Sequence, residues 1–277
     1  MTDPTRTASR IGEVFDRRRG SGEMAFMPFV AAGDPNLEGT ADILRRLAAA
    51  DVDLIEVGFP YSDPIADGPV IQTSYTRALA AGFTVDRLFA TIEGLDTDGL
   101  PPLVAMVAYA IVYRSDPAEF FARAAAAGFS GLIIPDLPGD EAAETTELAS
   151  AAGLDLVQLL APTTSLDRAK AILAACRGFV YCISVAGTTG VRRELPEALR
   201  DQLAGLRDLT DLPLAVGFGV GSPEQVDFLR GRADGVIVGS ALVRHLDAIA
   251  EGQPAADVFD TLEAHARELA AACHKQA

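Results

Sequence analysis

The sequence predicts an α/β protein that forms a single (β/α)8 barrel, or TIM barrel, over residues 1–277. Eight apolar strand patterns alternate with helical patterns at roughly 25–35 residues per unit, the spacing of such barrels. The strands are uninterrupted apolar runs, as expected where helices cover a parallel sheet. The alternative is an open doubly wound sheet. No Gly-x-Gly-x-x-Gly turn follows the first strand, so the dinucleotide-binding version is disfavoured.

The predicted elements follow one another in strand–helix order, after a short extra helix at residues 11–17. The strands are rich in Val, Ile, Leu and Phe and occupy residues 26–31, 54–57, 103–107, 131–134, 156–160, 179–183, 214–216 and 235–238. The helices have apolar residues at helical spacing and occupy residues 37–49, 70–81, 85–95, 117–127, 141–152, 166–176, 196–206, 239–249 and 255–272. Pro117, Ser165 and Ser222 are helix-start signals, and Ser222 predicts one more helix after it.

The composition disfavours several classes of protein. The formal net charge is −16 at pH 7, and nothing supplies a basic stripe, so nucleic-acid binding is not expected. No apolar run reaches membrane-spanning length and the first residues lack a signal-peptide pattern, so we expect a cytoplasmic protein. Cys176, Cys182 and Cys273 show neither metal nor redox spacing and are interpreted as reduced thiols.

One stretch, residues 53–69, carries the candidate chemistry. Glu56 lies within the second predicted strand, where a simply buried carboxylate is costly. The proline-rich loop after it carries Asp63 and Asp67. An acid at a strand end that faces acids on a stiff loop is typical of an acid/base site. Taken alone, the stretch fits equally well a strand-edge Glu beside solvated loop aspartates.

The carboxyl ends of the strands are where (β/α)8 barrels place their chemistry. The polar and glycine residues predicted there are Asp34, Glu56, Asp63, Asp67, Asp136, Thr163, Thr164, Tyr181, Ser184, Gly217, Gly219, Gly239 and Ser240. This set has no Lys for a Schiff base and no His for a metal site, so carboxylate acid/base chemistry without a metal is predicted. Asp34 is interpreted as a turn residue and Asp136 as a loop-fixing residue.

Glycines at the ends of the last strands predict a phosphate site. Gly217 and Gly219 end the seventh strand, and Gly239 with Ser240 opens the helix after the eighth. Glycine lets the backbone approach an anion, and a helix start offers free N–H groups. The loop 187–190 after the sixth strand is in the right order to close over such a site.

With these motifs the chain resembles the tryptophan synthase α-subunit family. The matching segments are 28–30, 33–35, the long run 56–72, 135–138, 161–164, 181–184, 187–190, 217–219 and 239–241. The family cleaves indole-3-glycerol phosphate into indole and glyceraldehyde 3-phosphate, in the last steps of tryptophan biosynthesis. The resemblance therefore implies a carbon–carbon lyase that uses acid/base retro-aldol chemistry, with neither Schiff base nor metal.

The resemblance also implies roles for individual residues. Glu56 is expected to be the general acid/base, Asp67 to bind the indole N–H, and Tyr181 to assist beside Glu56. The residues expected to contact the substrate or its phosphate are Phe29, Thr189, Gly190, Gly219, Gly239 and Ser240. The implied partner is a β subunit in an α2β2 heterotetramer, contacted through the loop 60–64. Pyridoxal phosphate is expected only in that β subunit, and no cofactor in this chain.

One departure from the family pattern follows the third strand. Ala108 stands where an indole-pocket Tyr is usual, so either Tyr109 replaces that ring or the pocket is roomier. Two other functions remain open from the residues alone. One is a different phosphate-binding barrel enzyme, such as a sugar-phosphate isomerase or epimerase, and the other is a non-catalytic partner of a β subunit.

Overall fold

The strands close into one barrel. The structure is a computed structural model, and it describes residues 9–64, 67–95, 99–138, 142–184, 198–217 and 219–276. The strands are β1 (Ala25–Ala31), β2 (Ile55–Gly58), β3 (Leu103–Met106), β4 (Phe129–Ile133), β5 (Asp155–Leu160), β6 (Val180–Ile183), β7 (Leu214–Gly217) and β8 (Gly235–Val238). Each strand pairs in parallel with the next, and β8 pairs with β1. The predicted (β/α)8 barrel is confirmed.

Helices surround the barrel, and a further one precedes it. They are α1 (Arg10–Gly20), α2 (Leu37–Ala49), α3 (Pro69–Ala80), α4 (Val85–Glu93), α5 (Tyr109–Arg114), α6 (Pro117–Ala126), α7 (Ala143–Ala151), α8 (Leu166–Ala175), α9 (Ala198–Arg207), α10 (Pro223–Leu229), α11 (Ser240–Val243), α12 (Asp247–Ala250) and α13 (Ala255–Cys273). The extra N-terminal helix is therefore confirmed, and so is a helix directly after β8. No helix in the described part of the chain is both long and apolar enough to cross a membrane.

The helices differ from the predictions in two places. Residues 109–114 form α5, which was not predicted, because Ile111 and Val112 are strand-type residues and Ala108 supplies no side-chain cap. The single helix predicted at 239–249 is three short pieces, in which a 3₁₀ turn at Arg244–Leu246 separates α11 from α12.

Alternate strand residues fill the barrel interior, and α1 closes its amino end. The interior cluster consists of Ala25, Met27, Leu54, Val104, Ile133, Val157, Phe179, Tyr181, Ala215 and Ile237, packed with Ile11, Val14 and Phe15 of α1. Two glycines make room for α1, since a Cβ on Gly131 would lie 2.7 Å from Ile11 Cδ1 and one on Gly235 2.9 Å from Phe15 Cε1. With the amino end filled, access to the interior is left to the carboxyl end.

A separate apolar cluster lies at the carboxyl end of the barrel. Its buried members are Phe29, Ala31, Ile71, Tyr75 and Val243, with Tyr61, Val70 and Met106 packed against them. These residues come from β1, α3, α11 and the ends of β2 and β3, so the cluster joins the elements that carry the candidate site residues. We call it the mouth cluster.

Candidate active site

Glu56 points into the barrel from β2. Side chains alternate along a strand, so Glu56 shares the inward face with Leu54 and Gly58. Its residue exposure is 1%, and no described residue hydrogen-bonds its Oε2. Burial, and secondarily the charge of Asp67, raises the pKa of Glu56 to about 8. Glu56 is thus mostly protonated at neutral pH and is able to give up and take back a proton there.

Asp67 reaches the site from the loop between β2 and α3. Its N–H donates to the Pro64 carbonyl over 3.0 Å, and its own carbonyl accepts from Gln72 Nε2 over 2.8 Å. These bonds hold the loop against the start of α3. Burial raises the pKa of Asp67 to about 6, so this carboxyl is mostly ionised at neutral pH. The structure therefore gives the two acids different protonation states, as distinct acid/base roles require.

Tyr181 occupies space that a glycine leaves open. It points inward from β6, and a Cβ on Gly217 of the neighbouring β7 would lie 2.3 Å from its hydroxyl. Burial raises the pKa of Tyr181 well above its ordinary value, with the charges of Glu56 and then Asp67 as further causes. The phenol is therefore neutral and lies within electrostatic reach of both acids, as its predicted assisting role requires.

A second glycine leaves room for two aromatic side chains above Glu56. A Cβ on Gly58 would lie 2.3 Å from Phe29 Cζ and 2.5 Å from the Tyr75 hydroxyl. Phe29 on β1 is paired with Glu56 on β2, so the two side chains lie next to each other on the inward face of the sheet. Phe29 thus lies beside Glu56 and over Gly58, and its contact with the indole ring stays a prediction. Tyr75, Gly58 and the rest of the mouth cluster were not predicted from the sequence.

Tyr109 does not take the place of the pocket tyrosine. Its ring packs against the outer core and lies 6.1 Å from that of Tyr113, between centroids. Its N–H donates to Asp136 Oδ1 over 2.7 Å, which agrees with the loop-fixing role predicted for Asp136. Ala108 is 6% exposed and contributes only a methyl group, so the structure does not support replacement of the pocket ring by Tyr109.

The glycines predicted to bind phosphate lie at the ends of β7 and β8. Gly219 has a φ of +95°, a conformation that favours glycine, and its carbonyl accepts from Gln225 Nε2 over 3.0 Å. Gly239 precedes α11, and a Cβ on it would lie 3.6 Å from Phe29 Cβ. Ser240 is 8% exposed. The candidate phosphate site thus adjoins the aromatic wall. Thr189 and Gly190 fall outside the described residues.

Asp34 is structural, although it is more than a turn residue. It is fully buried and accepts from Ser74 Oγ over 2.5 Å and from Arg77 Nη2 over 2.7 Å. Arg77 also reaches Asp247 over 2.7 Å. This network ties α3 to the loop after β1 and to α12. Among the described residues, no group of three or more His, Cys, Asp or Glu side chains is arranged to hold a metal ion.

Comparisons with known proteins agree on one family. A family model described as tryptophan synthase alpha chain matches residues 15–274. The tryptophan synthase alpha chain of Carboxydothermus hydrogenoformans is 47% identical over 86% of this chain and 90% of its own length, and that of Methanosarcina mazei is 45% identical over 94% and 93%. A structure of Mycobacterium tuberculosis tryptophan synthase superposes with a TM-score of 0.87 at 36% identity, over 97% of this chain and 99% of that chain.

Proposed function

Given that this chain belongs to the tryptophan synthase α-chain family and catalyses that family's reaction, we propose that Glu56, Asp67 and Tyr181 carry it out. The reaction cleaves indole-3-glycerol phosphate to indole and glyceraldehyde 3-phosphate in tryptophan biosynthesis. The observation that carries the assignment is the pair of acids in the barrel mouth. Glu56 has a pKa of about 8 and a buried Oε2 without a described partner, and Asp67 has a pKa of about 6.

Glu56 serves as both acid and base in one cycle. Protonated Glu56 gives its proton to the indole ring carbon that carries the glycerol chain, which places positive charge on the ring. The ionised carboxylate then takes the proton of the hydroxyl on the adjacent chain carbon. The carbon–carbon bond breaks, its electron pair returns to the ring, the hydroxyl carbon becomes the aldehyde, and Glu56 is protonated again.

Asp67 and Tyr181 stabilise that sequence. The ionised Asp67 carboxylate accepts a hydrogen bond from the indole N–H. Its negative charge stabilises the positive charge that protonation places on the ring, and this attraction is strong because the site is partly buried. The neutral phenol of Tyr181 interacts electrostatically with Glu56. When the Glu56 carboxylate is ionised, this phenol donates a hydrogen bond to it. Phe29 and the rest of the mouth cluster provide the apolar wall for the indole ring.

The phosphate is held at the ends of β7 and β8. The proposed ligands are backbone groups of Gly219 and Gly239 together with Ser240, where the absence of Cβ atoms allows close approach. Support comes from the position of Gly239, where a Cβ would lie 3.6 Å from Phe29 Cβ. A phosphate bound there would lie next to the indole wall. Thr189 and Gly190 complete the proposed site from the loop after β6.

Membership of the family implies a β-subunit partner. We propose an α2β2 assembly in the cytoplasm, with pyridoxal phosphate in the β subunit and no cofactor in this chain. The loop 60–64 is the proposed contact, because Ser62 and Asp63 are exposed there while Tyr61 packs inward on Tyr75. A partner at this loop would bind within a few residues of Asp67 along the chain.

Indole release from indole-3-glycerol phosphate, with and without a β subunit, tests the assigned roles. Glu56→Gln and Asp67→Asn each remove an ionisable group at almost constant volume and should lower turnover by about 10²–10⁴-fold. Glu93→Gln, an equivalent change at an exposed position on α4, is the control and should leave turnover unchanged. Substantial turnover by folded Glu56→Gln protein would remove Glu56 from its role.

A further inference from the structure

One arginine joins three parts of the carboxyl end of the barrel. Arg77 lies on α3, and its guanidinium donates from Nε and Nη2 to the Asp34 carboxylate over 3.0 and 2.7 Å. Its Nη1 donates to Asp247 Oδ1 over 2.7 Å. Asp34 lies in the loop after β1, and Asp247 begins α12. Arg77 therefore connects α3 both to the loop after β1 and to the segment that follows β8.

The segment between the candidate phosphate site and Asp247 is one hydrogen-bonded unit. The Val243 N–H donates to the Gly239 carbonyl over 3.1 Å. The Arg244 N–H donates to the Ser240 carbonyl, and the Asp247 N–H donates to the Arg244 carbonyl. Because each turn of this segment is bonded to the turn before it, the Asp247 backbone moves with the Gly239 and Ser240 backbone.

The other side of Arg77 leads to Asp67. Arg77 belongs to the last turn of α3, and Gln72 belongs to the first. Gln72 Nε2 donates to the carbonyls of Asp67 and Pro64 over 2.8 and 3.2 Å. The Asp67 N–H donates to the same Pro64 carbonyl over 3.0 Å. The loop that carries the Asp67 carboxylate is therefore bonded to the helix that carries Arg77.

Apolar side chains pack between the same two elements. Val243 of α11 lies in the mouth cluster with Ile71 and Tyr75 of α3. Apolar attraction has no preferred direction, whereas a hydrogen-bonded ion pair does. The bond from Arg77 to Asp247 thus adds a directed contact to this packing, and it fixes one position of α12 relative to α3.

A buried partner holds the Arg77 guanidinium in place. The Asp34 side chain is 1% exposed, and it also accepts from Ser74 Oγ over 2.5 Å, one helical turn before Arg77. Exposed ion pairs usually contribute little, in part because two flexible side chains must be ordered. Here the guanidinium is already ordered by Asp34, so only the Asp247 side chain, which is 39% exposed, loses freedom when the pair forms.

We propose that the Arg77–Asp247 ion pair holds the phosphate site and Asp67 at one separation, so that phosphate bound at one end steadies the carboxylate at the other. The inference rests on the proposed function, in which Gly239 and Ser240 bind the phosphate and Asp67 accepts the indole N–H. Arg77 and Asp247 act through these groups and are positioning residues. Binding energy from the remote phosphate is then used to place the reacting end of the substrate.

The test compares two substrates in wild-type and Asp247→Asn protein. This change removes one charge at almost constant shape and leaves Asp34 paired with Arg77. We expect kcat/KM for indole-3-glycerol phosphate to fall about tenfold or more, chiefly through kcat. For indole-3-glycerol, which lacks the phosphate, kcat/KM should stay within about twofold. Asp247→Glu keeps the carboxylate and should recover most of the loss.

Asp260→Asn is the matched control. Asp260 on α13 binds Arg46 on α2 and is 68% exposed, so this change removes a similar pair from the outer helices and should affect neither substrate. Wild-type kcat/KM for the phosphate substrate in Asp247→Asn would overturn the proposal. An equal loss for both substrates would also overturn it, because a general loosening of the fold has that effect.

A binding measurement separates this proposal from the proposed function, because it needs no turnover. Indole is titrated calorimetrically with and without saturating inorganic phosphate. We expect phosphate to tighten indole binding about fivefold in wild-type protein and to have no such effect in Asp247→Asn. Equal effects in the two proteins would overturn the proposal. If wild-type protein cleaves neither substrate while this difference is observed, the reaction assignment fails and the role of the ion pair stands.

Discussion

Adding one methyl group at Gly58 should disable the enzyme while leaving most of the barrel intact. In Gly58→Ala the new Cβ would lie 2.3 Å from Phe29 Cζ and 2.5 Å from both Phe29 Cε2 and the Tyr75 hydroxyl. Carbon atoms in contact prefer about 3.5–4.0 Å, so these side chains must give way by about 1 Å. The strand itself is held, since Gly58 accepts from Ala32 N over 3.0 Å and pairs with Met106.

The displacement therefore falls on the two aromatic side chains of the chamber. Overpacking of this kind costs about 1–3 kcal/mol of unfolding free energy. A shift of about 1 Å in groups that position the reaction costs about 10²-fold in rate, so kcat/KM should fall by at least that factor. In the double variant Gly58→Ala, Phe29→Leu, the closest contact is removed, and part of the lost stability should return.

Thermal unfolding and kcat/KM for indole release, measured together, provide the assay. Gly205→Ala is the matched control, because Gly205 lies within α9 and a Cβ there meets no atom within 4 Å. That change should stabilise the protein by about 0.5–1 kcal/mol and leave activity unaltered. Wild-type kcat/KM and unfolding temperature in Gly58→Ala would refute the close approach of Phe29 and Tyr75 to this strand.

Two further predictions follow from the charged groups. Catalysis needs an ionised Asp67, whose charge is lost as pH falls below about 6, and a protonated Glu56, whose proton is lost as pH rises above about 8. A plot of kcat/KM from about pH 5 to 9 should therefore be bell-shaped. A continued rise above pH 8 would contradict the acid role of Glu56. Arg77→Met leaves the Asp34 carboxylate buried without its cation and should lower the free energy of unfolding, measured with denaturant, by about 3–5 kcal/mol. Arg267→Met removes an exposed ion pair and should lower it by at most about 1 kcal/mol. Equal losses would show that the ion pair of Asp34 contributes no more than an exposed one.

The fold was predictable because its signals are local. Apolar runs and helical periodicity located all eight strands, and Ser165 and Pro117 mark helix starts where the structure has them. The missed helix α5 shows the limit of local signals. The carboxylate that binds its first N–H belongs to Asp136, 27 residues further along the chain, and no pattern within residues 109–114 indicates that contact.

The polar residues of the candidate site can be picked out from the sequence as candidates, whereas the apolar Phe29 enters only through the family resemblance. Glu56 stands out because a carboxylate is unusual in a strand, whereas the loop carries both Asp63 and Asp67, and only the family resemblance distinguishes them. Tyr75 lies on a helix where an aromatic residue is ordinarily core, and its approach to the chamber depends on the missing side chain of Gly58, which no local pattern within α3 indicates.

Glu56 shows why the site is better explained by chemistry than by stability. Its carboxyl is buried in the barrel interior, and one oxygen has no hydrogen-bond partner among the residues that the structure describes. Such burial lowers stability, and an apolar residue of similar size would pack at lower cost. The neighbouring interior positions are apolar, so the barrel can be filled without an acid. The same burial that costs stability brings the Glu56 pKa to about 8, where a proton is both held and released near neutral pH. The pKa of Asp67, which is half-buried on its loop, is about 6, and this difference in burial fits the two roles proposed for the acids.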